Sequence, residues 1–283
     1  MTFLLKTSIL IYTKAKHFNT QIPIHMPILQ TAERISSTEP SDNYIFQRSV
    51  LAYAEAAKIV SGNVLEIGTG NGYGIEMIAR KVSQLYTIDK FKNDNITGLL
   101  QQYKNVIFKK TTIPPLTEIA SNSFDFVITF QVIEHIKNDT FFLQEIYRVL
   151  KPGGQLIITT PNKKMSLTRN PWHIREYTAC ELKKLCLHRF DIVKTLGIYG
   201  NNAVMNHYYI NKEAVKKIIR FDVLNLQYRL PRWFLKLPYD VLNRWNRKQM
   251  VCRNSNVLTI KMDDYFLADV NDECLDLFYI IKK

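Results

Sequence analysis

Cysteine is scarce and unpatterned in this chain. The four present, Cys180, Cys186, Cys252 and Cys274, form no Cys-x-x-Cys pair and no dense framework. A disulfide scaffold is thereby excluded, and the four read as reduced thiols, small core residues of a cytoplasmic protein. A membrane-spanning run is also missing. The nearest candidate, Thr2 to Tyr12, is short, is broken by Lys6 and has no clear small-residue cleavage site behind it. The expectation is no transmembrane helix, with residues 1–25 dispensable to the core and Met26, before Pro27, as an alternative start. There is no zinc-ligand spacing, no glycine-arginine tract and no recognisable RNA-binding module, which makes nucleic acid the lesser partner. Acidic residues are outnumbered, 25 against 38 Lys and Arg, for a formal charge of +13. That balance favours anionic partners: phosphates, nucleic acid or an acidic membrane face.

What is present is ordinary globular material, 46% apolar and 22% charged over 283 residues, enough for one sizeable core with additions. Ser36 to Asn43 is polar and turn-rich, and Ser41 or Asp42 is placed to cap a helix running to Val60, with Ile45, Val50, Leu51 and Ala54 on its buried stripe. Candidate strands follow at 64–67, 85–88, 106–108, 124–130, 155–160 and 191–196, with helices at 74–81 and 141–150. Strands alternating with helix-length segments predict a parallel, doubly wound α/β sheet. Lys151-Pro152-Gly153-Gly154 ends one helix and turns the chain into a strand. A last strand, 275–281, follows a long detour and is expected to close the sheet edge. The expected organisation is a leader over 1–40, a core over 41–200, a basic helical cap over 201–273 and a final core strand over 274–283.

The segment Glu66-Ile67-Gly68-Thr69-Gly70-Asn71-Gly72-Tyr73-Gly74 sets glycines directly after a strand and before a helix, where a nucleotide-type cofactor approaches bare backbone. A dinucleotide fold wants glycine where Tyr73 stands, and a carboxylate at Glu66 repels a pyrophosphate but suits the ammonium group of a methionyl moiety. Asp89, 21 positions after Gly68, falls at the end of the second strand, where an acid accepts from ribose hydroxyls.

With VLEIGTGNGYG at 64–74, TID at 87–89, NSFDFVITFQVIEHI at 122–136 and VLKPGGQLIITTPN at 149–162, the chain resembles the class I S-adenosylmethionine-dependent methyltransferases, in particular the small-molecule enzymes of quinone and sugar biosynthesis. The resemblance covers about residues 44–200 and the last strand. It implies a Rossmann-like seven-stranded sheet, mostly parallel with an antiparallel last strand, and a helical insertion before that strand. It also implies S-adenosylmethionine as cofactor, with Glu66, Gly68, Thr69, Gly70 and Gly72 around the methionyl end, Asp89 at the ribose, and Gln131 and Val132 lining the site. Many relatives carry an acid after the third strand for the adenine amino group. This chain has Thr111-Thr112-Ile113, so adenine recognition falls to backbone amides or the Thr112 hydroxyl.

Methyl transfer is a displacement that depends largely on positioning, with a base needed only where the acceptor loses a proton. Glu134 and His135 follow the fourth strand, and His173, in a loop that resembles the acceptor cover of glycan- and lipid-related members, is a second base candidate. Some relatives bind a divalent metal through Glu-x-x-Glu-His at this place. Gln131 replaces the first acid, so no required metal is expected.

From Lys212 to Lys248 there are ten Lys or Arg against three Asp or Glu, interleaved with Phe221, Tyr228, Trp233, Phe234, Tyr239 and Trp245. That mixture suits a surface meeting anionic lipid headgroups or phosphates, and membrane association on the cytoplasmic face goes with it. The plainer alternative is a cap whose aromatics pack on the sheet and whose charges are merely solvated. Val241, Leu242 and Trp245 are expected on one face of a helix starting after Pro238, with Arg244, Arg247 and Lys248 beside them. The leading expectation is an enzyme that O-methylates a small or lipid-linked acceptor, a quinone precursor or an envelope sugar. The alternatives are an RNA or protein methyltransferase using the basic insertion, and a cofactor-binding protein without turnover.

Overall fold

Strands of five to twelve residues, most of them followed by a helix, build the core. The computed structural model describes residues 33–253 and 255–283. Expectations for residues 1–32, including the Thr2–Tyr12 run and the start at Met26, fall outside them. Helix α1 (Asn43–Ala57) leads into β1 (Asn63–Ile67), α2 (Ile75–Ala79), β2 (Gln84–Asp89), α3 (Asp94–Gln102), β3 (Val106–Lys110), β4 (Phe124–Phe130), α4 (Asp139–Val149), β5 (Leu150–Pro161), α5 (Ala179–Leu187) and β6 (Ile192–Gly200). The cap then supplies α6 (Asn202–Ile219), α7 (Leu226–Arg229) and α8 (Arg232–Arg253), and the chain ends in β7 (Tyr265–Asp269) and β8 (Asp276–Lys282). Among the described residues no helix is long and apolar enough to cross a membrane.

The sheet order is β3-β2-β1-β4-β5-β8-β6-β7. Pairings among β1 to β5 are parallel, while β8 runs antiparallel to both β5 and β6, and β7 antiparallel to β6. Alternate residues feed two cores. Val64, Ile128 and Phe278 face one side with α1 and α2, and Leu65, Val127 and Tyr279 face the other with α4 and α5. The order reverses between β1 and β4, so the loops at their carboxyl ends part and leave a crevice there.

Three expectations are corrected. The sheet has eight strands rather than seven, because residues 265–269 of the supposedly helical cap add β7. The last strand does not close the edge. Six of the seven β8 side chains are buried or half-buried, fitting a strand flanked on both sides, whereas the outer β7 exposes two of its five. Finally, α8 begins six residues before Pro238 and carries it internally.

The start of α1 differs too. Glu39 caps a 3₁₀ turn, Pro40–Asp42, by accepting from Ser41 N, and α1 itself starts without a side-chain cap. Asp42 sits at the cap position but turns its buried carboxylate to Arg244 and Arg247, at 2.6 and 2.9 Å, and to Ser36 N. A carboxylate without solvent needs charged or amide partners, and two guanidinium groups outcompete a capping bond. Residues 33–40, counted with the leader, are thereby hydrogen-bonded to the body. The buried residues of α1 are Leu51, Ala52, Tyr53 and Ala56, so of the expected stripe only Leu51 is fully enclosed.

Candidate active site

The crevice floor is made by the turn from β1 to α2. Gly68, Gly70 and Gly72 all hold positive φ (95°, 58° and 79°), a conformation that any side chain would strain. A Cβ at Gly68 would also overlap Val132 Cγ2, whereas one at Gly70 would meet nothing within 4 Å among the described residues. Gly70 therefore presents bare backbone to open space, as a loop that receives a ligand must.

Below the loop lies a chain of buried polar groups. Tyr53 Oη donates to Glu66 Oε1 at 2.6 Å, Thr87 donates to Glu66 Oε2, and Thr87 Oγ1 lies 2.6 Å from Thr69 Oγ1. Burial holds the Glu66 carboxyl up at about 7, against the donors from Thr87 and Tyr53 that favour its ionised form. Glu66 and Thr69 thus brace the loop from beneath with their side chains. Asp89, at the end of β2, accepts from Gly70 N and from Phe91 N, both at 2.9 Å, which sets its carboxylate at the lip of the crevice. Gln131, at the end of β4, takes a positive φ of 57° and donates its amide N–H to Thr159 O. Its neighbour Val132 faces Gly68. Thr112 is exposed just past β3, where Thr111 N donates to Asp89 O.

The second wall comes from three distant segments. His173 lies in the loop after β5, with Nδ1 2.7 Å from Glu176 Oε1 and Nε2 3.2 Å from Glu33 Oε2. His135, in the 3₁₀ turn Ile133–His135, points Nδ1 at Trp172 O (3.1 Å) and Nε2 at the same Glu33 oxygen (3.5 Å). The two imidazole rings meet edge to face at 5.0 Å. Burial alone presses His173 down, but Glu176 and Glu33 outweigh it and raise the group to about 10. Glu33 falls to about 2, because His173, His135 and Asn170 outweigh its own burial. Burial keeps His135 below its usual value. Glu134 is enclosed: its Oε2 accepts from Thr160 Oγ1 at 2.9 Å, and burial pushes it up to about 7.

Residues 33–36 run over the opening like a strap. Ile35 O accepts from Asn71 Nδ2 at 2.7 Å, and the Arg34 guanidinium stacks 4.4 Å above the Phe91 ring. Thr87, Asn71, Asn170 and Glu176 lie in or beside the motifs without a role being legible there, and Tyr53 and Glu33 carry no sequence signal at all. Glu33 stands 140 residues from His173, and no local spacing signals such a pair.

Residues 42–192 match the family described as "Methyltransferase domain", which is more than half of the chain. The chain belongs to this methyltransferase family. It is 32% identical over 185 residues to a "Probable S-adenosylmethionine-dependent methyltransferase" of Mycolicibacterium smegmatis, a match covering 63% of this chain and 70% of that protein. It is also 32% identical over 113 residues to the mitochondrial ubiquinone biosynthesis O-methyltransferase of Mus musculus, covering 38% of this chain and 30% of that one. Among solved structures, a Galdieria sulphuraria protein named provisionally as a sarcosine dimethylglycine methyltransferase shares the fold. Its TM-score is 0.50 at 15% identity, covering 84% of this chain and 86% of that chain. The methyltransferase uses S-adenosylmethionine, and the crevice fits that cofactor: bare glycine backbone at its floor, a carboxylate at its lip and, among the described residues, no side chain over Gly70.

Proposed function

We propose that this S-adenosylmethionine-dependent methyltransferase methylates an oxygen of a small or lipid-linked acceptor, of the quinone-precursor or envelope-sugar kind, taken up at an anionic membrane surface. The bound cofactor supplies an electrophilic methyl carbon. In this reading Gly68, Gly70 and Gly72 receive its methionyl end and Asp89 its ribose, while Gln131 and Val132 line the crevice. Glu66 and Thr69 hold the loop in shape, and Thr112 stands nearest the adenine end. The loop around Trp172 and His173 covers the acceptor side, and rate comes chiefly from alignment of acceptor and methyl group.

The observation that carries this reading is the inverted helix α8. Four of its charged residues turn inward: Lys236 Nζ sits 4.0 Å over the Trp172 ring, Asp240 accepts from Trp172 Nε1 at 3.0 Å, and Arg244 and Arg247 reach Asp42, while Lys248 and Arg253 stay exposed. Met250 and Val251 join the core, but a row of its other apolar residues turns outward. Trp233, Leu237, Val241 and Trp245, four apart along the helix, are between 51% and 71% exposed, and Phe221 and Val223 before it are more exposed still. Exposed Lys217, Arg220 and Arg229 lie in the same part of the chain. A contiguous apolar stripe set among cations is what an anionic bilayer interface takes up. Since the same helix grips Trp172, docking and the acceptor loop share one element. A relative is named for ubiquinone biosynthesis O-methylation, which agrees with a lipid-linked acceptor.

The test is flotation of the full chain with vesicles of phosphatidylglycerol and phosphatidylcholine against phosphatidylcholine alone. It is joined to incubation with methyl-labelled cofactor and fractionated host extract. Binding to the anionic vesicles, abolished by Trp233→Ala with Leu237→Ala and Trp245→Ala, and label in the lipid or small-molecule fraction are expected. Label confined to RNA or protein would replace this reading with a polymer substrate.

A further inference from the structure

We propose that Glu33, His135 and His173 form a binding site for one divalent transition-series cation, which fastens the strap 33–36 across the mouth of the crevice. The inference goes beyond the acceptor reading and does not depend on it. It departs from the expectation of no required metal, which turned on Gln131. The residues that converge are different ones, and Gln131 instead bonds to Thr159.

The donor atoms lie within 4.8 Å of one another. More telling is what stands behind them. Trp172 O can only accept, so His135 Nδ1 bears the proton and its Nε2 is the free ring nitrogen. Glu176 Oε1 plays the same part for His173 Nδ1. Both Nε2 atoms then face one carboxylate oxygen. Two imidazoles, each anchored through Nδ1 to an oxygen acceptor and each presenting Nε2 to a common point beside a carboxylate, is the arrangement by which proteins orient metal ligands.

Asn170 stands behind the same carboxylate. Trp172 N donates to Asn170 Oδ1, which fixes that amide with its Nδ2 hydrogens towards Glu33 Oε1 (2.8 Å) and His173 Nε2 (2.9 Å). Without a metal, a proton on His173 Nε2 bridges it to Glu33 Oε2 while Asn170 donates to Glu33 Oε1. A cation would displace that proton and take its place between the ring nitrogen and the carboxylate. Two imidazole nitrogens and one carboxylate oxygen suit Zn²⁺ or its first-row neighbours rather than Mg²⁺ or Ca²⁺, which prefer all-oxygen sets. Bound there, the ion would tie Glu33 to the loops after β4 and β5, while Ile35 and Arg34 hold the other end of the strap to Asn71 and Phe91. His135 and His173 would then serve as ligands rather than bases.

The experiment uses the full chain, stripped with chelator, loaded with Zn²⁺ and desalted, with metal content measured by plasma mass spectrometry. Cofactor binding is measured by calorimetry on the same sample. Retention of about one Zn²⁺ per chain, lost in the Glu33→Ala, His173→Ala double variant, is expected. Glu176→Gln, which keeps all three ligands, should weaken Zn²⁺ affinity by about 10- to 100-fold. Wild-type protein that binds S-adenosylmethionine but retains no Zn²⁺ overturns the proposal. So does a double variant that still loads fully, or complete displacement of Zn²⁺ by millimolar Mg²⁺. Should the double variant not fold, the wild-type loading and the Glu176→Gln affinity decide alone.

Discussion

Tyr53 Oη stands 2.6 Å from Glu66 Oε1, so the helix that precedes the sheet reaches under the glycine loop and grips its buried carboxyl. The same ring fixes Gly74, where any Cβ would overlap it. One aromatic residue therefore sets both the floor of the crevice and the start of α2.

A pH dependence follows from Glu66. Its folded pKa of about 7 lies above the ordinary 4.5 because burial disfavours the ionised form. The native state then holds the proton longer than the unfolded chain, so stability falls as pH rises from about 4.5 to about 7 and levels off above that. Glu66→Gln removes this loss. Chemical denaturation across pH 4 to 8 should show the variant gaining on the wild type by on the order of 3 kcal/mol over that window. A constant difference would mean that Glu66 ionises freely in the fold.

Gly68 and Gly70 should separate shape from access. Gly68→Ala sets a methyl group into Val132 at a positive φ and should lower both stability and cofactor binding. Gly70→Arg meets open space, so it should cost only the backbone strain, roughly 1–3 kcal/mol, while abolishing calorimetric binding of S-adenosylmethionine. Equal binding by Gly70→Arg and wild type would exclude the loop as the cofactor's seat.

Arg48 on α1 pairs with Asp276 at the start of β8 over 2.9 Å, the carboxylate being almost wholly buried. Asp276→Ala leaves a guanidinium in the interior and should destabilise the protein by about 3–5 kcal/mol, whereas Arg48→Met combined with Asp276→Leu should recover most of that. Denaturant titration of the three proteins checks it.

The Asp42 carboxylate joins α8 to the segment before α1 through Arg244 and Arg247. Asp42→Asn should leave the sheet intact but free the cap. Hydrogen exchange is expected to accelerate in α8 while β1, β4 and β5 stay protected. Uniform acceleration would instead make the cap part of the core's cooperative unit.

The alternation of strand and helix, the glycine loop and the carboxylate at 89 were all determined by the sequence itself. Each rests on neighbours within about twenty positions, where local periodicity and backbone sterics act directly. Strand order did not yield to that reading. The run at 275–281 is apolar enough for an interior or a terminal place, and only the pairing of β8 with β5 and β6 at once decided it. Nor could the sequence say which stripe of α8 faces out. Both stripes repeat at helical spacing, and the choice belongs to Asp42 and Trp172, far away along the chain, which take up the charges. Glu33, His135 and His173 met for the same reason: their proximity is a product of how three separate segments pack, and packing over a hundred residues leaves no mark on local spacing.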